Sequence, residues 1–240
     1  MEILQVILWI IVVILIIWII RYFTKSNRNS LTGIEDAGKA QTISAADLPS
    51  DSQTSNYTYS TWFYVQDWSY RFGEEKTLLS RGRFLPSPSI VLGAMENNIT
   101  VSVTCYPTSS SGSSSGSSSG AGVLHKCELA NFPLQKWVNL IISLNGQTMD
   151  VYIDGKLSRT CVLPGPAMSN PDADVEITPS GGFNGYTANF QYRDSPVNPQ
   201  QAYNIYKAGF GGSSLGNMFD KYKVRVQFLE DNHVEAQFQI

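Results

Sequence analysis

The stretch Asp172-Ala173-Asp174-Val175-Glu176 alternates acidic and apolar residues. At a strand's period of two, its three carboxylates would line one face. Retaining glycoside hydrolysis needs two such groups about 5–5.5 Å apart, one as nucleophile and one as acid/base. Asn170-Pro171 just before them sets the competing expectation of a solvated turn leading into an outer strand. We favour the turn and expect no enzymatic activity.

Oxygen ligands for a hard cation are available in Asp67, Asn97, Asn98, Asp172 and Asp174. Ca²⁺ takes six to eight oxygens, and no contiguous pattern supplies them, so no metal or other cofactor is expected. His125 and His233 stand far apart in the sequence. Cys105, Cys127 and Cys161 lack metal-ligand spacing, and an odd, sparse set fits a reducing compartment. One pair could still bridge, and Cys105 and Cys127 flank one loop. The aromatics Trp62, Trp68, Trp137, Tyr152 and Phe183 could stack on sugars. Their strand positions favour core packing, for Trp62 and Trp137 particularly. Trp68 and Tyr70, beside Arg71 and Glu74-Glu75-Lys76, read as a rim or contact patch. A formal charge of −3 and a charged fraction of 15% argue against a nucleic-acid partner. Asn56-Tyr57-Thr58 and Asn98-Ile99-Thr100 are glycosylation sequons.

The elements that position these residues fall into four parts. Residues 1–23 read as a single transmembrane helix. The run 3–20, carrying Ile3, Leu8, Trp9, Ile14, Trp18 and Ile20, has Gln5 as its one polar residue. Eighteen residues at 1.5 Å rise span roughly 27 Å, close to the hydrocarbon thickness of a bilayer. Only Met1 and Glu2 precede it, so it lacks the basic start of a cleaved signal peptide. Arg21, Lys25 and Arg28 follow it, and the positive-inside rule then places the rest of the chain on the cytoplasmic side.

Residues 24–54 read as a polar tether, of which 43–48 could lie against the domain as an edge segment. Residues 55–212 read as an antiparallel β-sandwich. Strands are expected at 57–68, 77–81, 89–92, 99–104, 137–144, 149–153, 175–178 and 186–192. Asn145-Gly146 and Asp154-Gly155 supply hairpin turns, and a short helix is expected within 196–207. Ser/Gly-rich residues 109–120 form a flexible loop insertion. Residues 213–240 end in an alternating hairpin containing Phe228 and Phe238, expected to pack on the sandwich or on a partner.

Lys136-Trp137-Val138-Asn139-Leu140-Ile141-Ile142-Ser143, Asn145-Gly146 and Met149-Asp150-Val151-Tyr152-Ile153-Asp154-Gly155-Lys156-Leu157 resemble the central hairpin of laminin-G/concanavalin-A-like domains. Tyr59-Ser60-Thr61-Trp62-Phe63-Tyr64-Val65 looks like that family's early core strand, and Gly181-Gly182-Phe183-Asn184-Gly185-Tyr186 like its Gly-Phe-x-Gly turn. The resemblance covers about residues 55–210 and implies a jelly roll, a fold that hosts lectins, hydrolases and pure scaffolds. Against the hydrolase motif, Asp172 stands where a Glu is expected.

A narrower resemblance joins the anchor, the tether, Tyr57-Thr58-Tyr59-Ser60 and Asp67-Trp68-Ser69-Tyr70-Arg71-Phe72-Gly73-Glu74-Glu75-Lys76. This combination is similar to virion proteins of large DNA viruses of algae and protists. It implies a minor capsid or membrane-associated component that bridges an internal membrane and the capsid by protein contacts. The bilayer and capsid proteins would be its partners, and Trp68, Tyr70, Arg71, Phe228 and Phe238 its candidate contacts. The alternative is a membrane-displayed, lectin-like module that binds glycans.

Overall fold

The computed structural model describes residues 13–15, 17, 30–49, 56–82, 85–107 and 122–210, and the backbone of 225–230 and 233–239. The 29–207 unit is a two-sheet antiparallel sandwich. Its strands are β1 (Glu35–Asp36), β2 (Gln41–Ile43), β3 (Tyr57–Asp67), β4 (Lys76–Arg81), β5 (Ser89–Leu92), β6 (Ile99–Cys105), β7 (Val123–Leu129), β8 (Trp137–Asn145), β9 (Thr148–Ile153), β10 (Lys156–Val162), β11 (Val175–Ile177) and β12 (Asn184–Arg193). One sheet runs β1-β12-β3-β8-β9-β10 and the other β2-β11-β4-β5-β6-β7.

Alternation sorts each strand. Tyr57, Tyr59, Phe63 and Val65 of β3, with Val138, Leu140, Ile142 and Leu144 of β8, join the inter-sheet core. Their sequence neighbours point the other way, as period two requires. Of the expected alternating set on β9, Met149 and Val151 are core residues and Ile153 packs against them.

The outer face of the first sheet carries a second apolar cluster: Ile141, Tyr152, Val197, Ala202 and Ile205. The last two belong to a helix, α1 (Pro199–Ala208), which covers part of that face. Asn198 and Gln201 form a reciprocal cap at its start, N–H to side-chain oxygen at 2.8 and 2.9 Å, with Pro199 at the first helical position. The chain entering α1 is tied to the sheet by hydroxyls. Thr58 Oγ1 donates to Ser195 O at 2.8 Å, and Val197 N donates to Ser143 Oγ at 2.9 Å.

Several elements differ from expectation. Residues 30–49, read as tether from their polarity, carry β1, β2 and a 3-10 turn, Ala45–Asp47. Backbone bonds hold this segment to β12 and its leading turn: Leu31 N to Phe190 O at 2.8 Å, Ala37 N to Gly185 O at 3.0 Å and Phe183 N to Ala37 O at 3.2 Å. Such edge pairing uses main-chain groups and so leaves little trace in composition.

Cys127 and Cys161 form a disulfide with Cα atoms 6.2 Å apart, while Cys105 is free and buried. The bridged partner is therefore Cys161, and not the loop-flanking Cys105. The bond joins β7 and β10, the end strands of the two sheets, and closes a loop whose entropy is worth about 4 kcal/mol.

The hairpin of β13 (Arg225–Glu230) and β14 (His233–Gln239) is present as expected, with Phe228 opposite Ala236 and Phe238 opposite Val226. Of the apolar run 3–20, Val13, Ile14, Leu15 and Ile17 are helical and exposed. Ile3, Leu8, Trp9, Trp18, Ile20 and Arg21 lie outside the described residues, as do 109–120. Among the described residues no helix is long and apolar enough to cross a membrane.

Candidate functional site

Cross-strand register builds one unusual row. Tyr64 of β3 lies opposite Tyr186 of β12 on one side and opposite Trp137 of β8 on the other. Directly opposed residues share a face, so three aromatic rings stand side by side on the outer face of the first sheet. Ring centroids are 6.4 Å apart for Tyr64–Tyr186 and 5.8 Å for Tyr64–Trp137. With Ile34 and Gln66 these residues line a depression of about 380 Å³. Tyr186 is 43% exposed and Ile34 54%, so the floor is open to solvent.

Polar groups edge the row. Asp36 stands opposite Tyr186, and Gln66 is exposed. Lys136, next to Trp137 in the chain, pairs with Asp154 at 3.2 Å. Asp154 is fixed in turn by the Asn139 N–H at 3.0 Å. An open apolar floor with hydrogen-bonding groups at its edges suits a ligand with an apolar face and polar edges.

The expected core role of Trp137 is therefore corrected. Val138, Leu140, Ile142 and Leu144 take the inner face of β8, which leaves Trp137 in phase with Asn139 and Ser143 on the outer one. Trp62 is buried, but under α1 and not between the sheets, stacked on Tyr206 with centroids 5.6 Å apart. Tyr152 is buried beneath the same helix, whereas Phe183 is a core residue.

The acidic stretch does not assemble. β11 begins at Val175, and its Val175 and Ile177 enter the core while Glu176 faces outward. Asp172 sits in the exposed turn before the strand. Asp174 accepts the Ala45 N–H at 2.8 Å. A second depression, of about 400 Å³, is lined by Gln41, Thr42, Ser80, Ser89 and Glu176 among others, and Glu176 is its one carboxylate. Retaining glycoside chemistry needs two. Of the candidate Ca²⁺ residues, Asp67 accepts from Ser69 N at 2.8 Å, and Asn97 donates its Nδ2 to Phe132 O at 2.8 Å. The Ser69 bonds hold the Asp67 carboxyl below its usual range. Among the described residues no three His, Cys, Asp or Glu side chains are placed to share a metal.

The rim patch has a defined shape. Trp68 packs on Phe132, its indole N–H donates to Met95 O at 3.1 Å, and the buried Lys76 ammonium lies 4.7 Å from its ring. Burial, with Arg71 nearby, pulls the Lys76 pKa down. Arg71 pairs with Glu74 at 2.8 Å and donates to Ser180 O at 2.7 Å. Gly73 N donates to Ala94 O at 3.0 Å, joining two loops that expose Tyr70, Phe72 and Met95. Phe228 and Phe238 belong to the separate hairpin, of which the backbone alone is described.

Sequence comparison matches residues 37–201 to the family described as the concanavalin A-like lectin/glucanases superfamily. No curated protein matches the chain. Similar solved structures include the receptor binding domain of botulinum neurotoxin D, with TM-score 0.52 and 11% identity over 74% of this chain and 48% of that one. The binding domain of botulinum neurotoxin DC in complex with SialylT gives TM-score 0.51 and 12% identity, over 74% of this chain and 46% of that one. The chain thus spans less than half of either structure, and at such identities the likeness is one of fold.

Proposed function

Because the chain belongs to the concanavalin A-like lectin/glucanases superfamily, we propose that it is a sugar-binding module held at a membrane by its N-terminal apolar run. The observation that carries this reading is the Tyr186–Tyr64–Trp137 row, an open aromatic floor edged by Gln66 and, opposite Tyr186, by Asp36. Pyranose rings present apolar C–H faces to aromatic rings and hydroxyls to polar edges, so the site matches them chemically. The anchor rests on the length and apolarity of residues 3–20. The Cys127–Cys161 bond favours an oxidising compartment. We therefore place the domain on the non-cytoplasmic face, against the orientation expected from Arg21, Lys25 and Arg28.

A glycan array probed with the full chain in detergent tests the reading, with and without Ca²⁺. Specific binding that persists in chelator and falls in Tyr186→Ala is expected. An array without specific binding rejects it, as does binding indifferent to that substitution.

A second reading is favoured by the exposed Tyr70, Phe72 and Met95 on the paired rim loops. On it, the chain is the virion component implied by the narrower resemblance, bridging a membrane and a capsid by protein contact. The acidic neighbours Glu74, Glu75 and Glu96 would then meet a basic-rimmed partner. Fractionation of purified particles checks this. The chain should co-purify with the membrane-capsid layer, and its absence from particles removes the reading.

A further inference from the structure

The rings of the row are not coplanar. Tyr64 is tilted by 43° from Tyr186 and by 49° from Trp137. Sheet twist accounts for part of this, because neighbouring strands are rotated by roughly 20–25° against one another. Side chains mounted at one register on β12, β3 and β8 therefore fan out. A crystalline polysaccharide presents a flat face, which touches several rings at once only when they lie in one plane. A free chain rotates about its glycosidic bonds and can offer each unit at a different angle.

We infer that the row takes a single soluble glycan chain, laid across β12, β3 and β8 with successive pyranose units on Tyr186, Tyr64 and Trp137. It discriminates against flat polysaccharide surfaces. This inference rests on the sugar-binding reading above and adds to it the form of the ligand. Units with equatorial hydroxyls fit best, since their axial C–H bonds leave an apolar face for the ring beneath. Their hydroxyl edges then meet Asp36 at the Tyr186 end and the Lys136–Asp154 pair near Trp137. Because the ends of the row are polar and the middle is apolar, a chain longer than the row gains no further stacking.

The full chain in detergent micelles is titrated with soluble β-1,4-linked oligomers of glucose and of N-acetylglucosamine, from one to six units. Its retention on crystalline cellulose and chitin is measured in parallel. Affinity should climb by about three- to tenfold for each ring engaged, as one aromatic contact allows, and level off at three units. Tyr186→Ser, at an exposed position that leaves the core intact, should move the plateau to two units. Tyr64→Leu, at the centre, should abolish the length dependence. Retention on the crystalline solids with no binding of the oligomers overturns the single-chain inference and leaves sugar binding standing. A monosaccharide as tight as the trimer overturns it too. Failure of every oligomer and both solids to bind overturns the single-chain inference, and the glycan array then decides whether sugar binding stands.

Discussion

Gly185→Ala should cost the domain about 3 kcal/mol or more and with it the sugar binding proposed for the aromatic row. Gly185 has φ 156°, and a Cβ there would lie 1.8 Å from the carbonyl oxygen of Tyr64 on the neighbouring strand. The obstructing atom is backbone, in the middle of the first sheet, and no rotamer change removes it. Relief requires β12 to part from β3, which also disturbs the Ala37 N–H bond to Gly185 O at 3.0 Å. Tyr186, the next residue, would leave the aromatic row. Gly146 is the control: its φ is 60° in the β8–β9 turn, with nothing within 4 Å of a Cβ. Gly146→Ala carries only the backbone cost of a left-handed position, about 1 kcal/mol. Urea unfolding of the full chain in detergent compares the two. Equal losses would show that the close approach at Gly185 does not matter.

That glycine shows what the sequence makes legible. The Gly-Phe-Asn-Gly-Tyr turn stands out as a motif, and the structure supplies its reason in the approach of β12 to β3. Strands β3 to β6, β8, β9, β11 and β12 follow from alternation, because each buries one face in a shared core, whereas β7, exposed over most of its length, is not among the expected strands. β1 and β2 do not, being two and three residues long and held by main-chain bonds. β10 also escapes, since five of its first six residues are exposed or polar, with Cys161 alone turned inward. The aromatic row was half legible. Alternation on β8 puts Trp137 in phase with Asn139 and Ser143, and alternation on β3 puts Tyr64 in phase with Ser60 and Thr58. Size and strand position suggested a core residue, and phase pointed outward. Which strands lie side by side decides whether outward aromatics meet, and a local pattern does not carry that pairing.

The second large effect is expected at Arg81, which is 6% exposed and reaches the core end of the sandwich from β4. Its guanidinium is satisfied by neutral oxygens: Nε donates to Ala173 O at 3.0 Å, Nη1 to Tyr59 Oη at 3.0 Å and Nη2 to Pro171 O at 2.9 Å. It also lies 5.3 Å from the Tyr192 ring. This one side chain holds the turn that leads into β11 against the sheet. Arg81→Met keeps the apolar stem and strips three donors, leaving the buried Tyr59 hydroxyl and two part-buried backbone carbonyls without this partner. At about 1–3 kcal/mol for each unsatisfied buried group, less the relief of an unburied charge, the loss should be about 3 kcal/mol. Arg81→Lys keeps the charge without the planar fork and should fall between. The neighbouring tyrosines give an independent readout. Burial, with Tyr59 adding to it at Tyr57, raises the pKa of Tyr57 and Tyr59 well above the ordinary phenol value. Above about pH 10 the unfolded chain releases these protons and the folded chain keeps them. Stability is flat below that pH and falls above it, by up to about 1.4 kcal/mol per pH unit for each tyrosine. Arg81 favours the Tyr59 phenolate, but burial already keeps the folded phenol protonated through pH 11, so Arg81→Met should lower the midpoint without changing the slope of the alkaline loss. Unfolding midpoints from pH 8 to 11 for the parent, Arg81→Met and Tyr57→Phe test this. A parent as stable at pH 11 as at pH 8 would refute the buried tyrosine cluster, and an unchanged midpoint in Arg81→Met would refute the role given to its guanidinium.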